Sequence, residues 1–326
     1  MKKEKKIINK VHTWYVVSDI HSFATELKAS LKGAGFDRKD PAKGLIVCGD
    51  VFDRGNETVE VYRYLSTLPK YRCILIKGNH ELLYEGLLKK RFPDSYDFSN
   101  HTTDTFCQIA GYSPEIMTIK YWYKLGEDDP YGRMQQTWQE ILKEVKESPI
   151  TAWLRSTQWK SYYELDKYIF VHSFIPLKDN YPGGYYSIHD DPKKRYEYIS
   201  DWRNASDHDW EKATWGCPYQ NYLDGYFKEE AINGKVLVCG HWDVTDFRQA
   251  INNKITDNTD IYFSEHLIGL DGGVWQYNGT NEYYHPQNVL VIDDSDFNTC
   301  YDKYGNKLEY EKSVPIIRTV TPKDEE

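Results

Sequence analysis

Five short stretches of this chain carry residues whose types and spacing suit metal chemistry: Asp19-Ile20-His21, Gly49-Asp50, Gly78-Asn79-His80, His172 and Gly240-His241. Carboxylate, imidazole and amide oxygen together favour hard or borderline divalent ions. Just past a strand end, residues i and i+2 point the same way, so Asp19 and His21 can bind one ion. Asp50 can bridge to a second ion, whose shell Asn79, His172 and His241 would complete. Two ions about 3.5–4 Å apart can hold a hydroxide between them and clamp phosphoryl oxygens, because a metal lowers the pKa of its water to about 7. A leaving alkoxide still needs a proton. His80 lies beside a ligand, and Asp53 can orient it. Arg54 offers a planar fork to two phosphate oxygens. Gly49, Gly55, Gly78 and Gly240 allow tight turns where backbone must come close to the ions.

The elements that must position these groups are legible around them. Thr13 to Ser18 is β-branched and aromatic, hence a strand. Leu45 to Cys48 and Cys73 to Ile76 are two more. Helical spacing covers Ala24 to Gly33, Glu57 to Leu68 and Glu81 to Lys90, with Gly33 and Pro69 as stops. Strand–loop–helix repeated three times predicts parallel strands with crossover helices. Sites in such sheets gather at the carboxyl ends of the strands, where these polar breaks fall. Tyr168 to Val171, Val236 to Cys239, Leu267 to Leu270 and Val289 to Ile292 complete the predicted strands.

Residues 91–165, polar and mostly helical, are expected to form a cap-like insertion, clearest over Trp138 to Lys146. Residues 176–233 read as a second insertion, a long loop region with short helices. Residues 1–11 are expected to be a loose basic arm, 12–310 the main domain, and 311–326 a charged tail. No internal repeat or low-complexity tract is present.

Composition narrows the partners. The chain has 326 residues and a net charge of -9, so its overall field does not favour nucleic-acid polymers or anionic membranes. An anionic substrate would need a local positive centre. None of the six cysteines forms a CxxC pair, and Cys48, Cys73 and Cys239 lie in apolar strands, so a reducing compartment is expected. The basic start lacks an apolar stretch and is not read as a secretion signal. No run reaches membrane-spanning length. A cytoplasmic location is the expectation.

Taken in order, Asp19-Ile20-His21, Gly49-Asp50-Val51-Phe52-Asp53-Arg54-Gly55, Gly78-Asn79-His80-Glu81, His172 and Gly240-His241 resemble the calcineurin-like metallophosphoesterases. The phosphoprotein phosphatase branch, with motifs GDxHG, GDxxDRG and GNHE, is the most similar, over about residues 13 to 242. Gly240-His241-Trp242 and Leu270 to Trp275 are also similar to symmetric diadenosine-tetraphosphate hydrolases. The resemblance implies an α/β fold: two packed mixed β-sheets flanked by helices, a four-layer α/β/β/α sandwich, with a helical cap insertion. It implies two divalent metal ions, held by Asp19, His21, Asp50, Asn79, His172 and His241. It also implies His80 as general acid paired with Asp53, and Arg54 on phosphate. Manganese is the first expectation, with iron, zinc or nickel compatible with the same donors.

The chain departs from the branch in places. Ser18 and Ser22 stand where glycines flank the first motif, and Ser173 follows His172 where glycine is common. Asp243 replaces the second histidine of the wider superfamily's GHxH and is a further ligand candidate. The branch's second phosphate-binding arginine has no motif here. Arg203 is a candidate, with a surface ion pair as the plainer reading. The remaining histidines, His12, His101, His189, His208, His266 and His285, read as solvated or loop residues.

Three functions follow. The first is hydrolysis of phosphomonoesters, in the manner of a serine/threonine protein phosphatase, by attack of a metal-bridging hydroxide. The second is cleavage of a dinucleoside polyphosphate such as diadenosine tetraphosphate. The third is a non-catalytic, metal-dependent binding module. The expected partner is a phosphorylated substrate, either a phosphoprotein or a nucleotide.

Overall fold

The computed structural model describes residues 11–156, 158–178, 197–199, 201–219, 232–274, 286–293 and 299–311. Strands β1 (Thr13–Val17), β2 (Lys43–Cys48) and β3 (Cys73–Ile76) alternate with helices α1 (Ala24–Gly33), α2 (Thr58–Ser66) and α3 (Asn79–Leu87). The three strands pair in parallel, as the strand–loop–helix alternation predicts. Then come α4 (Ser95–Ser99), α5 (Thr102–Ile109), α6 (Ile119–Lys124), α7 (Pro130–Glu147) and α8 (Pro149–Leu154). Strands β4 (Trp159–Lys160), β5 (Tyr163–Glu164) and β6 (Tyr168–Phe170) follow. A small ribbon pairs β7 (Leu177–Lys178) with β8 (Glu197–Tyr198). Helix α9 (Asp207–Ala213), β9 (Val236–Cys239), α10 (Val244–Asn252), β10 (Tyr262–Phe263), β11 (Leu267–Gly269), β12 (Leu290–Asp293) and β13 (Cys300–Tyr301) complete the described α-helices and strands.

Two mixed sheets result. The first runs β13-β12-β1-β2-β3-β4, the second β10-β11-β9-β6-β5. Their strands read as continuous apolar runs because both faces are covered. In the first sheet, Trp14, Val16, Ile46 and Ile74 face inward and share one core with Tyr168, Phe170, Val238 and Ile268 of the second. Their sequence neighbours Tyr15, Val17, Leu45, Val47 and Leu75 face the other way, onto α1, α2, α3, α5 and α7. On the far side, Ile169, Leu237 and Cys239 pack against Trp210 of α9 and Phe247 of α10. The order is helices, sheet, sheet, helices, the four-layer sandwich that the resemblance implied.

Several boundaries differ from the sequence expectation. The segment 91–165 is helical only to Leu154; its last residues supply β4 to the first sheet and β5 to the second. Two-residue strands are too short to show alternation, which is why they escape a reading by period. Phe106, Trp138, Ile141 and Val145 of this segment are buried in the same core as Val47 and Leu75. Val11, assigned to the loose arm, is buried in the core between the sheets. Glu311, assigned to the tail, is tied to Arg248 at 2.6 Å. Residues 1–10, 312–326 and most of 176–233 lie outside the described residues, as does Trp275 of the later motif.

Candidate active site

The predicted ligands converge. Asp19 and His21 follow β1, Asp50 follows β2, Asn79 and His80 open α3 after β3, His172 follows β6 and His241 follows β9. The loops are stitched backbone to backbone, with His21 N donating to Asp50 O at 3.0 Å and Gly240 N to His172 O at 2.8 Å. The turns are extreme. Asp19, His21, Ser22, Asp50, Asp53, Arg54 and His241 have φ between 48° and 74°, a left-handed region that non-glycine residues rarely adopt. Such strain clusters where function over-determines geometry. Ser22, in a position where the branch has glycine, keeps that left-handed backbone and ties its hydroxyl to Thr58 at 2.9 Å.

Asp50 is the centre. Its Oδ1 lies 3.4 Å from His172 Nε2, and its Oδ2 lies 3.9 Å from both His21 Nε2 and His80 Nε2. Two groups of donors share it: His21, Asp50 and His80, and Asp50, His172 and His241, with the atoms of each group within 4.8 Å of one another. Asp19 belongs to neither group; both its oxygens accept from His241 N, at 3.1 and 3.0 Å. Asp243 lines the cleft and also lies outside both groups.

The tautomers argue for cations. His172 Nδ1 donates to the Cys48 carbonyl at 2.8 Å, and His21 Nδ1 to the Phe52 carbonyl at 3.1 Å. A carbonyl can only accept, so in the neutral ring the proton sits on Nδ1 and Nε2 bears a lone pair. Metal-ligating histidines are oriented in this way. Burial holds His172 below the usual imidazole range, so neutral is its ordinary state. Its Nε2 lone pair then meets Asn79 Oδ1 at 2.8 Å and Asp50 Oδ1 at 3.4 Å. With the amide oriented as assigned, three acceptors converge with no proton among them, an arrangement that a cation resolves.

His241 Nε2 points the same way: it is buried and has no hydrogen-bond partner. The acids agree. Burial, together with Asp271 and Asp50, pushes the Asp19 carboxyl well above its usual range. Burial raises Asp271 to about 6. Negative charge packed this closely calls for compensating positive charge. The residues present therefore fit a pair of divalent ions.

His80 is held at both ring nitrogens. Its Nδ1 meets Asp53 Oδ2 at 2.7 Å, and its Nε2 lies 3.3 Å from Arg54 Nη2. Burial alone lowers its pKa, but the Asp50 and Asp53 carboxylates outweigh that and hold it above the usual imidazole range. Arg54 is half-buried at the edge of a cleft of about 400 Å³, shared with Tyr96, Asn100, Trp215, His241 and Trp242.

Some contributors carried no motif role. Glu81 is buried and accepts from Gly78 N at 2.7 Å, Val51 N at 2.9 Å and Asp50 N at 3.0 Å, clamping two site loops together. Its place three residues into a helix was the visible signal. Trp215, in a stretch where no spacing announced it, has its ring 6.2 Å from the His241 ring, and Trp242, already marked by the Gly240-His241-Trp242 likeness, has its ring 5.8 Å away. Arg203 is not brought to the cluster. Its Nε bonds Glu164 Oε1 at 2.5 Å and its guanidinium lies 4.2 Å over the Trp202 ring.

A helix–sheet–sheet–helix sandwich with buried histidines and aspartates gathered over its strand ends defines a metallophosphoesterase-type architecture. The family model for calcineurin-like phosphoesterase matches residues 13–244, more than half of the chain, and the chain belongs to that family.

Among curated proteins, the chain is similar to the symmetrical bis(5'-nucleosyl)-tetraphosphatase of Buchnera aphidicola subsp. Schizaphis graminum. They are 38% identical over 88 residues, covering 26% of this chain and 31% of that protein. The namesake from Photorhabdus laumondii subsp. laumondii is 33% identical over 88 residues, covering 26% and 30%. The chain thus spans about a third of the length of these curated relatives. Among solved structures, the cold-active protein-tyrosine phosphatase of Shewanella sp. covers 94% of this chain and 85% of its own, at 14% identity and a TM-score of 0.47. A serine/threonine phosphatase from Saccharomyces cerevisiae covers 95% and 84%, at 13% identity and a TM-score of 0.45. Likenesses of this size carry no argument about activity.

No helix among the described residues is long and apolar enough to cross a membrane.

Proposed function

We propose that the chain is a metal-dependent phosphoesterase that hydrolyses phosphate esters at the Asp50 centre. The observation carrying this reading is the convergence of His172 Nε2, Asn79 Oδ1 and Asp50 Oδ1 without a proton among them. Two divalent ions, manganese first, would supply a hydroxide nucleophile at neutral pH and positive charge for the phosphoryl oxygens. His21, Asp50, His172 and His241 would hold them, with Asn79 and Asp19 completing the shells. Asp53 accepts the His80 Nδ1 proton and fixes the ring, and the Asp50 and Asp53 carboxylates favour the doubly protonated imidazole, whose Nε2 proton lies on the Arg54 and Asp50 side. His80 then acts as general acid toward the leaving oxygen. Arg54 swings from the His80 edge to pair with two phosphate oxygens.

The joined GDxxDRG and GNHE set favours a phosphomonoester on a serine or threonine side chain. A second reading, cleavage of a dinucleoside polyphosphate, is supported by the names of the curated relatives and by the aromatic lining of the cleft. Trp215, Trp242 and Tyr96 offer flat faces that suit a nucleobase.

His80→Asn in the manganese-loaded protein tests the acid: metal content should stay and turnover of an alkyl phosphate, whose leaving oxygen needs a proton, should fall about 10²–10⁴-fold. Full turnover in that variant would remove His80 from the role. Chromatography of a diadenosine tetraphosphate digest, beside phosphopeptide release, separates the two substrates. Inertness toward every such compound with metal bound would favour the non-catalytic reading.

A further inference from the structure

Helix α5 belongs to the 91–165 segment, which carries no ligand and no motif, yet one of its faces is aimed at the site. Thr102, Thr105 and Gln108 recur every three residues and so share that face. Thr102 Oγ1 donates to Asp53 Oδ2 at 2.8 Å, and Thr105 Oγ1 donates to Asp53 Oδ1 at 2.6 Å. Thr105 Oγ1 also accepts from Asp53 N at 3.1 Å, holding both the backbone and the side chain of that residue. Gln108 continues the contact along the same loop, donating to Gly55 O at 2.9 Å and accepting from Thr58 N at 3.1 Å. Asp53, Thr102 and Thr105 are all fully buried, so no water competes for these bonds.

We propose that Thr102 and Thr105 are positioning residues for the proton-transfer pair. The two hydroxyls fix the Asp53 carboxylate in one orientation, and through it aim the His80 ring at the leaving oxygen. The inference rests on His80 being the general acid. A buried carboxylate oxygen bound by one imidazole alone could rotate about its Cβ–Cγ bond. Here Oδ2 carries the imidazole and Thr102, while Oδ1 carries Thr105, so each oxygen has its own donor and rotation breaks three bonds at once. Aim of this kind decides whether a general acid reaches its target. No side chain of α5 touches substrate in this account; the helix acts through Asp53.

The test is the dependence of turnover on the leaving group, in the full-length, manganese-loaded chain. Positioning of an acid matters for a poor leaving group such as an alkoxide and little for nitrophenolate. Thr102→Val with Thr105→Val should cut kcat on alkyl phosphates about 10²-fold, with nitrophenyl phosphate turnover nearly kept, KM unchanged and both metals bound. Thr102→Ser with Thr105→Ser, which keeps both hydroxyls, should restore alkyl turnover. His80→Asn should show the same leaving-group bias.

Should the double valine variant fail to fold, Thr102→Val alone removes one donor, keeps Thr105's double clamp, and reads the same ratio. A folded, metallated valine variant that slows both substrate types equally overturns the proposal, as does one with undiminished alkyl turnover. If His80→Asn itself shows no bias, the general-acid reading fails and takes the proposal with it. If His80→Asn shows the bias and the valine variant does not, the proposal alone fails.

Discussion

Gly78→Ala isolates the geometry of the Asp50 centre from its chemistry, because it changes no donor. Gly78 has φ -103° and ψ -177°, which any residue adopts, so alanine brings no backbone strain. The added methyl is another matter. It would lie 2.1 Å from Asp50 Oδ1 and 2.7 Å from Asp50 N. An ordinary carbon–oxygen contact is about 3.3 Å, so the carboxylate oxygen must retreat by roughly 1.2 Å.

That movement breaks the 3.0 Å bond from His80 N to Oδ1 and carries the oxygen away from His172. A shift of about 1 Å in a reacting arrangement can lower the rate about 10²-fold. Disturbed ligand orientation lowers metal affinity by about 10–100-fold. Overpacking should lower stability by about 1–3 kcal/mol.

Gly86→Ala, on the same helix α3, is the control. Nothing lies within 4 Å of its added methyl, so it should be neutral or stabilising by about 0.5–1 kcal/mol with full turnover. Titration calorimetry with manganese and turnover on nitrophenyl phosphate give the readouts. A Gly78→Ala protein that binds manganese and turns over like wild type would refute the reasoning that Asp50 Oδ1 must sit where it does.

Three further outcomes are expected. Asp50→Asn should lose both ions and all turnover together, since one carboxylate serves both groups; elemental analysis showing two retained ions would contradict it. Manganese affinity should rise with pH through about 6, where Asp271 titrates. The sign follows from burial holding Asp19 and Asp271 above the usual carboxylate range, so that both must release protons as cations arrive, while burial keeps His21 and His241 neutral. Calorimetry finding no proton release below that pH would refute the linkage. Arg203→Ala should leave turnover and KM unchanged and lower stability by about 1 kcal/mol, through loss of its Glu164 bond and Trp202 stacking. A raised KM would restore the phosphate-binding role that the sequence suggested.

Much of the scaffold was legible because its signals are local. Cys73–Ile76 and Val236–Cys239 match their predicted bounds, since a short apolar run flanked by polar breaks reads clearly even without alternation. The residues that gather at the candidate site were legible because each sits immediately beyond such a run. What sequence did not reveal depends on contacts across long separations. Thr105 reaches Asp53 across 52 residues and Arg155 bonds Glu85 across 70, and no period marks such pairs. The same holds for β4 and β5, two residues each, which pair with strands laid down by other parts of the chain. Arg203 was singled out by residue type alone, and type cannot say that Glu164 lies nearer than phosphate.

The central claim is that Asp50 sits between two cations. Crystals grown with excess manganese and measured at its absorption edge test this directly. Two anomalous peaks are expected about 3.5–4 Å apart, one beside His21, the other beside Asn79, His172 and His241, with an Asp50 oxygen reaching both. A cluster without anomalous density, or a single ion that leaves His172 and Asn79 unengaged, would contradict it.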